Sequence, residues 1–367
     1  MGRKVFIIPD SFKGSMSSPV VAGIIGQAAR RAGFETIEVP VADGGEGTCD
    51  CVLAITGGEK RETDVVGPEG NEIRAAYGIT RDGCAVIELA ESSGITKQNG
   101  LHPMTAGTYG FGQLIKDALD RGVRKFLLGL GGSASTDCGM GMAAALGVRF
   151  IDKNGESFIP CGERMRDIDS IDMSGLDPRV KESSFRIMSD VTNPLSGPEG
   201  AAYIYGPQKG ADREQVRILD EGLRHAGICI ERATGCASEK VRGAGAAGGS
   251  GYGCAAFLNA KPESGIEVML DLCEFDKRAG ECELIVTGEG SLDRQSLMGK
   301  VLSGIKAHAG GIPVVSFCGR CGLSGDELRK ENITAVVIGR GIPVEESVRN
   351  GEKYLRRAAE EYFMGLC

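Results

Sequence analysis

The chain has 367 residues, 41% of them apolar and 25% charged, with a net charge of −8 and a pI near 5.2. That length accommodates two or three domains with sizeable cores, and the acidic balance speaks against a nucleic-acid or anionic-membrane partner while leaving room for a small anionic ligand. No apolar run approaches the ~20 residues of a membrane span, and no targeting signal is visible ahead of the first strand, so the chain reads as cytoplasmic. Its thirteen cysteines are odd in number and scattered, which suits reduced thiols. Cys49-x-Cys51 and Cys318-Gly-Arg-Cys321 have no histidine nearby to complete a zinc site.

In chain order, Arg3–Pro9 reads as a strand ending in Asp10-Ser-Phe-Lys13. Ser18 caps a helix with Pro19 at its first position, running to Gly33. Glu35–Val41 is a second strand, ending in Asp43-Gly-Gly-Glu-Gly, and Thr48 opens another helix. Ligands of open parallel sheets bind beyond the carboxyl ends of the strands, where these acidic turns lie. Lys60–Val66, Glu72–Ile79 and Cys84–Ala90 then read as an antiparallel meander. Thr108–Arg121 is an amphipathic helix, with Phe111, Leu114, Ile115, Ala118 and Leu119 on one face.

A strand at Phe126–Leu128 leads into Gly129, Gly131 and Gly132, then Ser133, Ser135, Thr136 and Asp137, then a helix closed by Gly147. Strand, glycine turn and helix N-terminus together predict an anion cradle. Arg149–Asp152, Ser184–Ser189, Arg213–Thr234 and Ala244–Leu258 follow as strand, strand, helix and helix. From Glu283 the strand–helix alternation returns at Leu284–Thr287, Pro313–Cys318 and Thr334–Ile338. One late helix opens with the box Ser324-x-x-Glu327, and the last spans Val344–Met364 with a Glu352–Arg356 pair. The predicted class is therefore α/β in two domains. A Rossmann- or flavodoxin-like parallel domain is made by residues 1–61 and 283–367. A mixed α+β domain, residues 62–282, is inserted and carries the glycine-rich loop.

Two glycine patterns compete for a dinucleotide reading. Gly129-x-Gly131-x-x-Ala134 follows a strand, with Asp152 ending the next one; Gly243-x-Gly245-x-x-Gly248 fits by letter but lacks a convincing strand before it. An NAD(P)-dependent oxidoreductase of a small hydroxy acid is thus the alternative, beside a non-catalytic sensor of a hydroxy acid or nucleotide. Against the dehydrogenase, four polar clusters combine carboxylate, glycine and lysine at strand ends, in the turns after Asp10, Asp43 and Asp190 and in Thr287–Lys300. Phosphoryl transfer needs such parts: backbone donors and lysines for phosphate oxygens, carboxylates for Mg2+, and one carboxylate to take the hydroxyl proton.

Seven stretches, in order, are similar to a type I bacterial glycerate kinase: Pro9-Asp-Ser-Phe-Lys-Gly-Ser, Pro40-Val-Ala-Asp-Gly-Gly-Glu-Gly-Thr, Gly131-Gly-Ser-Ala-Ser-Thr-Asp, Ser189-Asp-Val-Thr-Asn-Pro-Leu, Gly206-Pro-Gln-Lys-Gly-Ala, Gly243-Ala-Gly-Ala-Ala-Gly-Gly and Thr287-Gly-Glu-Gly-Ser-Leu-Asp. Thr136 stands where the family pattern has Asn. The resemblance implies ATP- and Mg2+-dependent phosphorylation of D-glycerate, usually to 2-phosphoglycerate, in an interdomain cleft; a homodimer is compatible with it. Placement at strand ends assigns Gly131, Gly132, Ser133, Ser135 and Thr136 to the ATP phosphates. Lys13 and Lys300 supply positive charge, Asp190 is the first choice of base and Asp43 the second, and Asp293 and Glu289 stand on the Mg2+ side.

Overall fold

Val5, Phe6 and Ile7 are fully buried in a strand, Lys4–Ile7, that lies inside a parallel sheet. A strand buried on both faces is what a continuous Val-Phe-Ile run predicts. The computed structural model describes residues 3–294, 296–297 and 301–366. Among them, two units each close their own core: one takes the chain up to Asp43, Asp50–Gly57 and everything from Ser264 onward, the other Gly44–Cys49 and Gly58–Glu263.

The terminal unit's sheet runs, edge to edge, Ile333–Val337, Val314–Cys321, Leu284–Leu292, Lys4–Ile7 and Glu35–Glu38, all parallel. Renumbered within the unit this is the 2-1-3-4-5 order of flavodoxin-like sheets. Helices cover both faces. Val5 and Ile7 face Val21, Ile25, Leu355 and Phe363 of the helices Ser18–Arg31 and Gly351–Met364. Phe6, pointing the other way, meets the Phe275 ring edge-on at 5.0 Å.

The central unit's sheet runs Lys261–Glu263, Ser184–Met188, Lys125–Gly129, Cys84–Glu88, Glu72–Thr80, Gly58–Val66. The first four strands are parallel, and the last two hairpin onto them as the predicted meander. Phe126 and Phe185 stack at 4.6 Å between neighbouring strands, and helix Tyr109–Asp120 buries its apolar stripe in the same core.

Several sequence expectations change. Ser17, not Ser18, occupies the cap position; the buried Ser18 hydroxyl donates to Pro9 O at 2.7 Å and accepts from Val41 N at 2.9 Å, tying two strand ends together. Thr287–Leu292 is not a turn after a strand but its continuation, paired in register with Ser316–Cys321, because a neighbouring strand is there to receive it. The last helix breaks at Asn350: a side chain on Gly351 would collide with the Ser15 hydroxyl, and Arg356 turns to the Gln27 side chain instead of Glu352. Helix formation in Ala244–Leu258 begins only at Ser250, since Gly243, Ala247, Gly248 and Gly249 all have positive φ. Among the described residues no helix is long and apolar enough to cross a membrane.

Candidate functional site

The chemistry-bearing residues fall into two constellations, one in each unit. In the terminal unit the order of the sheet reverses between Lys4–Ile7 and Leu284–Leu292, the place where open α/β sheets put their ligands. Asp10 sits there, its N–H donating to Gly288 O at 2.8 Å. Its carboxylate accepts from Ser11 N at 2.6 Å, and Asp43 and Lys13 both act on it electrostatically. Burial, and then the charge of Asp43, push Asp10 up to about 6; Ser11 and Lys13 oppose the shift. Proton affinities raised this way mark functional positions more often than chance. Lys13 itself is exposed.

Further along the same strand end, Glu289 accepts from the Ser296 hydroxyl at 2.6 Å, and Asp293 N donates to that hydroxyl at 3.2 Å. Ser291 donates to Asp293 at 3.4 Å and accepts from Arg320 at 3.1 Å. Glu289, within the strand, and Asp293, just past its end, are thus linked through one hydroxyl. Two carboxylates of this kind suit Mg2+, which takes one or two of them and fills its octahedron with water and phosphate oxygens. No three His, Cys, Asp or Glu side chains among the described residues form a metal cage. Lys300 lies outside the described residues.

In the central unit the glycine loop follows strand Lys125–Gly129 as expected. Its backbone is wedged between two others. Gly131 N donates to Gly44 O at 3.0 Å, and a Cβ on Gly131 would stand 2.5 Å from Gly45 Cα, so only glycine fits. On the other side a Cβ on Gly248, at φ +65°, would collide with Ser135 O. The second glycine run is therefore a packing surface for the first, preceded by a single 3-10 turn at Ser238–Lys240 rather than a strand. Asp152 belongs to a separate small antiparallel sheet, where its carboxylate accepts from Asn154 N and Glu156 N. Neither dinucleotide pattern has the structural setting it needs.

The predicted helix N-terminus also differs. The helix is only Met140–Ala145, and its entry is already filled by a side-chain carboxyl of the loop itself. Asp137, completely buried, accepts from Gly139 N, Gly141 N, Thr108 N and the Thr108 hydroxyl at 2.7–3.2 Å. Burial pushes its carboxyl up, and the donors Thr108, Gly139 and Gly141 oppose that. What remains for a ligand is the stretch from Gly131 to Thr136. There the Ser135 hydroxyl is buried with no hydrogen-bond partner among the described residues, and Ser133 and Thr136 are buried beside it. An orphaned buried hydroxyl in a glycine loop is a fitting donor for a phosphate oxygen. Asp190 follows the parallel strand Ser184–Met188, half-buried, one residue past Ser189, whose N–H donates to Glu263 O at 3.1 Å.

The structure adds residues that sequence reasoning did not place in the site. Asp10 was only the start of a polar cluster, and Thr108 and Asp137 gave no sign of pairing across 29 residues. Lys209, in the turn Pro207–Lys209, is 3% exposed and donates from Nζ to the Ser133 hydroxyl at 2.8 Å and to Ser135 O at 2.5 Å. Its one signal was the Gly-Pro-Gln-Lys-Gly turn; a turn lysine is ordinarily solvated.

Comparison with known proteins gives consistent results. The Glycerate kinase family profile matches residues 5–366. A glycerate kinase of Halalkalibacterium halodurans is 40% identical over 97% of this chain and 96% of its own. A glycerate 2-kinase of Escherichia coli is 41% identical over 86% and 85%. A crystal structure described as that of a putative glycerate kinase 2 from Salmonella typhimurium LT2 superposes with a TM-score of 0.86 at 34% identity, covering 100% of this chain and 98% of that one.

Proposed function

The chain belongs to the glycerate kinase family, and from that premise we propose that it transfers the terminal phosphoryl group of ATP to D-glycerate in the presence of Mg2+, forming 2-phosphoglycerate. The observation that carries the nucleotide half of this reading is the Gly131–Thr136 loop: backbone admitted by glycines, with a buried Ser135 hydroxyl lacking a partner. The 2-position is supported by the name of the Escherichia coli relative, a glycerate 2-kinase.

Each group then has a task. Gly131 and Gly132 let the backbone reach the phosphates, and Ser133, Ser135 and Thr136 donate to their oxygens. Lys13 offers charge to the substrate carboxylate or to the transferring group. Asp190 accepts the proton of the glycerate hydroxyl. Asp43 is the second choice; it lies close enough to Asp10 for its charge to help raise the proton affinity of Asp10. Glu289 and Asp293 would hold Mg2+, which when bound neutralises charge on the phosphate oxygens. Incubation with Mg-ATP and D-glycerate tests the reading directly. ADP release that requires D-glycerate is expected, and none above the ATP-only background would reject it.

A further inference from the structure

Lys209 is the least economical residue in the central unit unless it has a ligand. Its ammonium is buried, its hydrogen-bond partners are two uncharged oxygens, and no ion pair joins it to a carboxylate among the described residues. Removing a cation from water is costly, and neutral acceptors only partly offset that cost. Asp137 acts on it from a distance, but the donors around that carboxylate are Thr108, Gly139 and Gly141.

Both of Lys209's acceptors belong to the glycine loop, 74 and 76 residues away in sequence. One contact fixes the Ser133 hydroxyl. The other fixes the carbonyl of Ser135, the residue with the orphaned hydroxyl. An ammonium has three protons, and two are engaged here.

We propose that Lys209 is the positioning cation of the glycine loop, which sets Ser133 and Ser135 for a phosphate and gives the loop its preference for an anion. The inference rests on the loop being the nucleotide-phosphate site. It also accounts for the lysine's poise: burial holds Lys209 near 7 in the ligand-free protein, and a phosphate beside it would favour the charged form.

The test compares ATP with adenosine, which lacks the phosphates, by calorimetric titration of the full-length protein. Wild type should bind ATP more tightly than adenosine. Lys209→Met should weaken ATP binding by about tenfold or more, the scale of one charged hydrogen-bonding partner, and leave adenosine within about twofold. Lys209→Gln, which keeps a donor for the two loop oxygens but not the charge, should behave likewise and serves where the Met variant does not fold. Equal losses for ATP and adenosine, or an undiminished preference for ATP, would overturn the proposal. A wild-type protein with no preference for ATP over adenosine would instead remove the phosphate reading of the loop, and this inference with it.

Discussion

Asp137 shows how a single residue changes the meaning of a motif. By sequence it belonged to the polar cluster of a phosphate loop; in the fold its own carboxylate occupies the helix entry that the loop would have offered to a ligand. The part proposed to face a ligand is thereby shortened to Gly131–Thr136. Asp190 makes the corresponding prediction for the chemistry. As base, its replacement by Asn should lower kcat by about two orders of magnitude or more while ATP binding persists. A near-wild-type kcat would move the base to Asp10 and Asp43. The acidic candidates could be singled out in the sequence because aspartate beside glycine at a strand end has few purely local reasons to be there. Lys209 was not legible: a lysine between Gln208 and Gly210 carries no mark of burial, which depends on partners 74 residues away.

Among elements, periodicity located most helices and strands, and its failures have local causes. Arg213–Thr234 has an apolar stripe, a capping box at Asp212 and Gln215, and Gly235 in the left-handed region after it; all three signals agree with the observed span. Ala244–Leu258 misled because small residues permit helix and tight turns alike, and contact with the first glycine loop selects turns up to Gly249. Gly248→Ala places a Cβ against Ser135 O at a strained φ. It should cost more than about 1 kcal/mol in urea unfolding and raise KM for ATP; an unchanged midpoint and KM would contradict the packing described.

In the terminal unit, His308 at the end of Val301–His308 reaches Asp276 at 2.8 Å and Glu267 at 3.1 Å on two other helices. The hydrogen bond to Asp276 leads the forces that raise its pKa above the usual 6.5. The cation's contribution is thus complete below about 6.5 and disappears as pH rises through the raised value. His308→Gln should therefore lower Tm more at pH 6 than at pH 9, and equal losses at the two pH values would refute the clamp.

At the scale of the whole molecule, the parallel class was readable because strand-like segments alternate with helices at both ends of the chain. The sheet order was not, since pairing Lys4–Ile7 with Leu284–Leu292 joins residues nearly 280 positions apart, and no local pattern encodes it. That pairing brings the backbone of Asp10 against Gly288, a strand residue remote in sequence. The seven ordered stretches carried the functional expectation further than any one motif, because singly each resembles an ordinary glycine turn.

The proposed reaction is transfer of a phosphoryl group from ATP to the 2-hydroxyl of D-glycerate. Phosphorus NMR of the product formed from Mg-ATP and D-glycerate tests it most directly. A phosphate on the secondary carbon couples to one proton and should appear as a doublet, at a rate abolished by omitting D-glycerate. A triplet from coupling to a methylene would place the phosphate on the primary hydroxyl, and no phosphomonoester signal at all would contradict the account.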